Sequence, residues 1–66
     1  MKIICNGKER EMNPDIRVAE LIRALELDPG SVVVECDGEI VKRDEFEFHP
    51  LKEGSVVELI RFVGGG

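Results

Sequence analysis

The sequence predicts an α+β fold, a mixed sheet of about four to five strands packed on one main helix, the two-layer arrangement open to a small core. Three observations lead there. Short runs of alternating apolar and polar residues are joined by the tight-turn pairs Asn6-Gly7 and Asp37-Gly38. One stretch, Val18, Leu21, Ile22 and Leu25, repeats its apolar residues at i, i+3, i+4 and i+7, the spacing of a single helical stripe. The chain has 66 residues, which allows one domain and only a thin core.

Each element follows from local chemistry. Ile3 and Cys5 alternate with Lys2 and Ile4 and run into Asn6-Gly7, whose residues accept the positive φ of a type I′ hairpin turn. A second strand follows through Lys8–Met12, with charged residues outward and Met12 inward, until Asn13-Pro14-Asp15 breaks it. Asp15 is a candidate helix cap, and Asp28-Pro29-Gly30 a stop signal. With about nine helical residues between them, the helix depends on packing against the sheet for its stability. Ser31–Asp37 reads as the third strand, with Val32, Val34 and Cys36 on one face. Ile40-Val41 forms a short strand, Arg43–Pro50 a loop or single helical turn, and Ser55–Val63 the last strand after a turn at Glu53-Gly54. The order strand, strand, helix, strand, short strand, strand is that of the β-grasp, or ubiquitin-like, arrangement, with the last strand beside the first at the sheet centre. The expected core is Ile3, Cys5, Val18, Leu21, Ile22, Leu25, Val34, Val57 and Leu59.

Composition excludes several function classes. Apolar residues make up 42% and charged residues 35%, a globular balance. The net charge is −5, Trp and Tyr are absent and Phe occurs three times, so the basic groove and aromatic platforms that bind nucleic acid are missing. A basic protein surface is the more natural partner. No apolar run approaches the roughly 20 residues of a membrane span, and the opening Met1–Gly7 breaks too soon for a signal peptide. A cytoplasmic location is expected. Cys5 and Cys36 stand far apart and form no metal or redox motif.

Side chains offer little catalytic chemistry. His49, the one histidine, would have to serve any Ser–His or Cys–His site, yet it adjoins Pro50 in a charged loop. Asp44, Glu45 and Glu47 read as a hydrated acidic loop, not a metal site or an acid–base pair. Cys5 and Cys36 fall on inward faces, where a cysteine acts as a small apolar filler. The unusual feature is the end, Phe62-Val63-Gly64-Gly65-Gly66. Residues 1–63 form the domain, and Gly64, Gly65 and Gly66 an extended, mobile tail without Cβ atoms, able to thread a narrow channel with a carboxylate at its tip. If Val57 and Leu59 point inward, Glu58, Ile60 and Phe62 point outward, as does Ile4. Ile4, Ile60 and Phe62 then form a candidate partner-docking patch.

Over its whole length the chain resembles the ThiS family, sulfur carriers of thiamin thiazole biosynthesis. The resemblance is carried by the Ile-Ile-Cys-Asn-Gly start, Val18-Ala19-Glu20-Leu21-Ile22, the run Val33–Val41, Arg43, Pro50-Leu51-Lys52-Glu53-Gly54 and the Phe62–Gly66 end. Asp37, Lys42 and Arg17 depart from the residues frequent in the family. The resemblance implies a carrier and not an enzyme, with no catalytic side chain, no metal site and no bound cofactor. It implies that an E1-like adenylating enzyme uses ATP and magnesium to activate the Gly66 carboxylate. Sulfur from a cysteine desulfurase then converts it to a thiocarboxylate, which thiazole synthase consumes. A molybdopterin-type sulfur carrier, a ubiquitin-like protein modifier and a plain β-grasp interaction domain remain as alternatives.

Overall fold

The computed structural model describes residues 1–62, and Val63–Gly66 lie outside it. The chain forms β1 (Lys2–Cys5), β2 (Lys8–Glu11), α1 (Val18–Ala24), β3 (Val32–Cys36), β4 (Glu39–Val41) and β5 (Val56–Arg61), with 3-10 turns at Pro29–Ser31 and Arg43–Glu45. The strands make one five-stranded sheet in the order β2-β1-β5-β3-β4. β1 and β5 are parallel, and every other pair is antiparallel. One helix on one face of this mixed sheet is the β-grasp fold.

Both predicted tight turns form. Asn6 and Gly7 take φ of 50° and 80°, Asp37 and Gly38 take 52° and 86°. Each pair therefore holds the left-handed backbone that joins two antiparallel strands with the right twist. The inner face of the sheet presents Ile3, Cys5, Val32, Val34, Cys36, Val41, Val57 and Leu59, and α1 covers them with Val18, Ala19, Leu21 and Ile22. At roughly 1.5–3 kcal/mol for each fully buried large aliphatic side chain, this face drives the folding.

α1 begins and ends differently from expectation. Asp15 does not cap it. That residue sits in the preceding turn at φ 63°, and the cap position is Arg17. The Glu20 carboxylate reaches back to accept the Arg17 N–H at 2.8 Å. The next two donors, the N–H groups of Val18 and Ala19, go to the carbonyls of His49 and Phe46, both at 2.9 Å. A loop distant in sequence thus satisfies the helix start, so no side-chain cap is needed.

The helix also stops earlier than the Asp28-Pro29-Gly30 signal. It covers seven residues and closes with Glu26 in the left-handed region at φ 58°. The Glu26 N–H donates to Arg23 and the Leu27 N–H to Ile22, at 2.9 and 3.0 Å, the paired bonds of a Schellman ending. Leu25 therefore leaves the stripe and is half-buried against the core instead of inside it. Asp28 instead caps the following 3-10 turn. There the Gly30 N–H, and then the Ser31 hydroxyl, hold its carboxyl below the usual carboxylate range.

Two more core residues, Phe46 and Leu51, come from the irregular 43–55 segment. Leu51 is almost fully buried, and its N–H donates to the Ile16 carbonyl at 2.8 Å. Met12, expected to point inward from the second strand, lies just past β2 and packs half-buried against the core. No helix among the described residues is long and apolar enough to cross a membrane.

Candidate functional site

β5 is the centre of the sheet and the strand that leads to the terminal glycines. Its alternation puts Val57 and Leu59 in the core and Val56, Glu58 and Ile60 on the outer face. Phe62 follows just beyond the strand. Its N–H donates to the Ser31 carbonyl at 3.1 Å, and its side chain is half exposed. The expected tail, Gly64, Gly65 and Gly66, and the domain boundary after residue 63 lie outside the described residues.

Of the residues read as a docking patch, Ile4 and Ile60 lie on the outer face, but not side by side. Ile4 lies opposite Val56 on the parallel neighbour. Ile60 lies opposite Val33 on β3. Between these two apolar pairs stands Glu58, in register with Glu35. The sequence reading missed Val56, which is 44% exposed, and Ile40, which is 66% exposed and lies opposite Glu35 on β4. Val56 was available from the same alternation that placed Glu58 and Ile60. Ile40 was not, because the register of so short a strand is set by its partner.

Glu35 and Glu58 form an adverse arrangement for an isolated sheet. Like charges directly opposite on neighbouring strands repel and destabilise the pairing. With Ile4–Val56 on one side and Val33–Ile60 on the other, the face presents apolar flanks around an acidic centre. That pattern is complementary to a surface with a basic residue between apolar ones.

The side chains weighed for catalysis do not assemble. The carbonyl of His49 caps α1, and its ring is half-buried beside Glu45, Phe48 and Pro50. Glu47 pairs with Arg23 on α1, and Asp44 and Glu45 lie exposed in the second 3-10 turn. Among the described residues, no three His, Cys, Asp or Glu side chains converge to hold a metal. Cys5 and Cys36 are free and buried. They flank Val57 from β1 and from β3, so a whole strand separates them. Burial pushes both thiols above their ordinary value, which keeps them protonated and unreactive near neutrality.

Comparison with known proteins bears on this site. The sequence model of the ThiS family matches residues 3–66, which includes all three terminal glycines. A thiazole synthase of Paramagnetospirillum magneticum is 33% identical over the whole chain, although the chain spans only 20% of that protein's length. The sulfur carrier protein ThiS of Bacillus subtilis is 31% identical over 62 residues, which cover 92% of this chain and 94% of that one. The crystal structure of the thiamine biosynthesis protein ThiS from Geobacter metallireducens superposes with a TM-score of 0.86 at 35% identity, covering all of both chains. A solution structure of a thiamine biosynthesis protein from the same organism gives 0.81, covering all of this chain and 88% of that one.

Proposed function

The chain belongs to the ThiS family, and from that premise we propose that it is a sulfur carrier of thiamin biosynthesis whose working group is the Gly66 carboxylate. The observation that carries this reading is a family match that runs through the whole domain and on to Gly66. A curated sulfur carrier that the chain covers almost end to end supports it.

The chemistry explains why the working group is a carboxylate on a glycine. A carboxylate is a poor electrophile, because its charge is delocalised and its oxygen is a bad leaving group. An E1-like enzyme with ATP and magnesium converts it to an acyl-adenylate, releasing pyrophosphate. A persulfide sulfur supplied through a cysteine desulfurase then attacks the carbonyl carbon, and AMP leaves. A second thiol cleaves the resulting acyl disulfide, departing as a disulfide with the donor's sulfur. The product is a thiocarboxylate, which donates its sulfur in thiazole formation. One hard step becomes several easier ones, as in covalent catalysis. The partners hold the catalytic groups, and this chain is their shared substrate in the cytoplasm, not an enzyme. A thiazole synthase that contains a stretch 33% identical to this chain supports that enzyme class as the sulfur acceptor.

The outer sheet face is the docking surface for the adenylating enzyme. Ile60 and Phe62 make the contact nearest the tail, and Ile4 with Val56 a second one. The opposed Glu35 and Glu58 favour a basic residue between them, which would relieve their mutual repulsion.

The test is the intact mass after incubation with ATP, magnesium, the cognate adenylating enzyme and a sulfur source. One carboxyl oxygen should be exchanged for sulfur, and fragmentation should place it at Gly66. Deleting Gly65 and Gly66, or adding one residue after Gly66, should abolish the change without unfolding the domain. Sulfur on Cys5 or Cys36, or an extended chain thiolated as well as the wild type, would overturn the reading.

A further inference from the structure

The last strand outruns the strand it lies beside. β1 ends at Cys5, in register with Val57, and the chain then turns away at Asn6-Gly7. The last main-chain bond on that side runs from the Asn6 N–H to the Val57 carbonyl at 2.9 Å. Two residues further on, Leu59 turns its peptide groups to the same side, where β1 no longer exists. The Asn6 side chain meets both of them. Its Oδ1 accepts the Leu59 N–H at 2.8 Å, and its Nδ2 donates to the Leu59 carbonyl at 3.3 Å.

A primary amide carries one acceptor and one donor group, the inventory of a peptide unit. Asn6 therefore lengthens β1 by one residue in all but the main chain. It needs the left-handed φ of 50° to aim there, a region that Asn tolerates better than most residues. The other tight turn shows why an amide is required. Asp37, at φ 52°, also grips β5: its N–H donates to the Val56 carbonyl at 2.8 Å and its Oδ1 accepts the Val56 N–H at 2.9 Å. There the main chain supplies the donor, so a carboxylate suffices. At Leu59 the side chain must supply donor and acceptor together, and of the two only Asn does.

Past Leu59, β5 is held through β3, by the Arg61–Val32 register and the Phe62 bond to Ser31. Among the described residues, Asn6 is thus the last grip on that edge of β5. We propose that Asn6 is a positioning residue for sulfur loading. It fixes the Leu59 peptide and so sets the direction in which the last residues enter the activating enzyme. The role rests on the carrier reading above. A fixed exit matters because the reacting carboxylate lies only seven residues beyond Leu59, so where the anchored strand ends limits the positions the terminus can reach.

Two variants test it. Asn6→Gly keeps the left-handed turn and removes the whole amide. Asn6→Asp keeps the acceptor and puts a second oxygen where Nδ2 donated. In the free protein, hydrogen exchange at the Leu59 amide should quicken in Asn6→Gly, while amides in α1 keep their protection. In thiolation by the adenylating enzyme, Asn6→Gly should lose on the order of ten- to a hundredfold in kcat with a much smaller change in KM, because orientation and not docking is lost. Asn6→Asp, with half of the clasp, should fall between Asn6→Gly and wild type. Faster Leu59 exchange with wild-type kcat would make the clasp merely structural and overturn the proposal, as would unchanged Leu59 exchange in Asn6→Gly. Should Asn6→Gly fail to fold, wild-type kcat in folded Asn6→Asp would overturn it equally. If wild-type protein takes up no sulfur at all, the carrier reading falls and the positioning role falls with it, while the exchange data still judge the clasp.

Discussion

Neighbouring residues of β5 face two different environments. Val57 and Leu59 are 0% and 7% exposed, locked between the strands and α1, whereas Val56, Ile60 and Phe62 are 44%, 50% and 49% exposed. Apart from Glu58, the outer side carries residues as apolar as the inner ones, so hydrophobicity alone does not say which side makes the fold. The difference is α1, which covers one face and leaves the other open. In so small a domain, apolar groups on the open face add little to stability and favour association. A partner that covers them, as in the docking proposal, would account for their presence.

The largest expected effect breaks the comparison on its inner side. Leu59→Ala should cost about 2–5 kcal/mol, the range for truncating a buried leucine. A domain of this size has only about 5–10 kcal/mol in total, so the variant should show a sharply lowered midpoint in denaturant. Ile60→Ala, one residue along, should cost about 1 kcal/mol or less, the span of strand preference at an exposed position. Equal losses from the two would mean that the outer face is packed as tightly as the inner one.

A second prediction uses the two inner thiols. Cys5 and Cys36 are buried beside Val57, and burial raises both above the ordinary thiol value. The attacking species is the thiolate, so alkylation of the folded protein should be slow at pH 8 and become fast for both once denaturant exposes them. A raised value in the folded state also means that the protonated fold is favoured. Stability from these groups should hold below the unfolded thiol value and decline as pH rises through the folded ones. Rapid labelling of either cysteine in native protein would show that the inner face opens readily.

Much of this was legible in the sequence because it is local. The hairpin turns follow from Asn6-Gly7 and Asp37-Gly38, the helix stripe from Val18, Leu21 and Ile22, and the two faces of β5 from simple alternation. What stayed hidden depends on residues far apart in the chain. Phe46 and Leu51 have no periodicity, because they sit in an irregular segment and join the core only through contacts with elements distant in sequence. Asp15 looked like a cap because nothing nearby reveals that the carbonyls of Phe46 and His49 do that work. The early end of α1 at Glu26 was hidden because Glu is a good helix former and an uncommon left-handed residue. At the site, the outward direction of Ile4 and Ile60 was legible, but their separation by Glu58 and Glu35 needed the register. The clasp of Leu59 by Asn6 joins residues 53 positions apart and leaves no local signature.

The smallest expected change in stability tests the outer side of the comparison and the docking proposal together. Phe62 lies past the last strand residue, and the hydrogen bond that holds it there is made by its main chain. Phe62→Asp keeps that bond, so the unfolding free energy should move by no more than about 0.5 kcal/mol, as for ordinary surface changes. Binding to the adenylating enzyme should nevertheless weaken by about tenfold or more, some 1.4 kcal/mol, because a desolvated aromatic contact becomes a carboxylate in an apolar slot. Glu58→Gln should act differently. It removes the repulsion with Glu35 and leaves the apolar contacts in place, so the free protein should be slightly more stable. Its association should be slower and less dependent on salt, because rim charges mainly set the encounter rate. A thermal midpoint that collapses in Phe62→Asp would put that ring in the core. Equal affinity of Phe62→Asp and wild type would leave the outer face without its partner, and the contrast between the two sides of β5 would then concern folding alone.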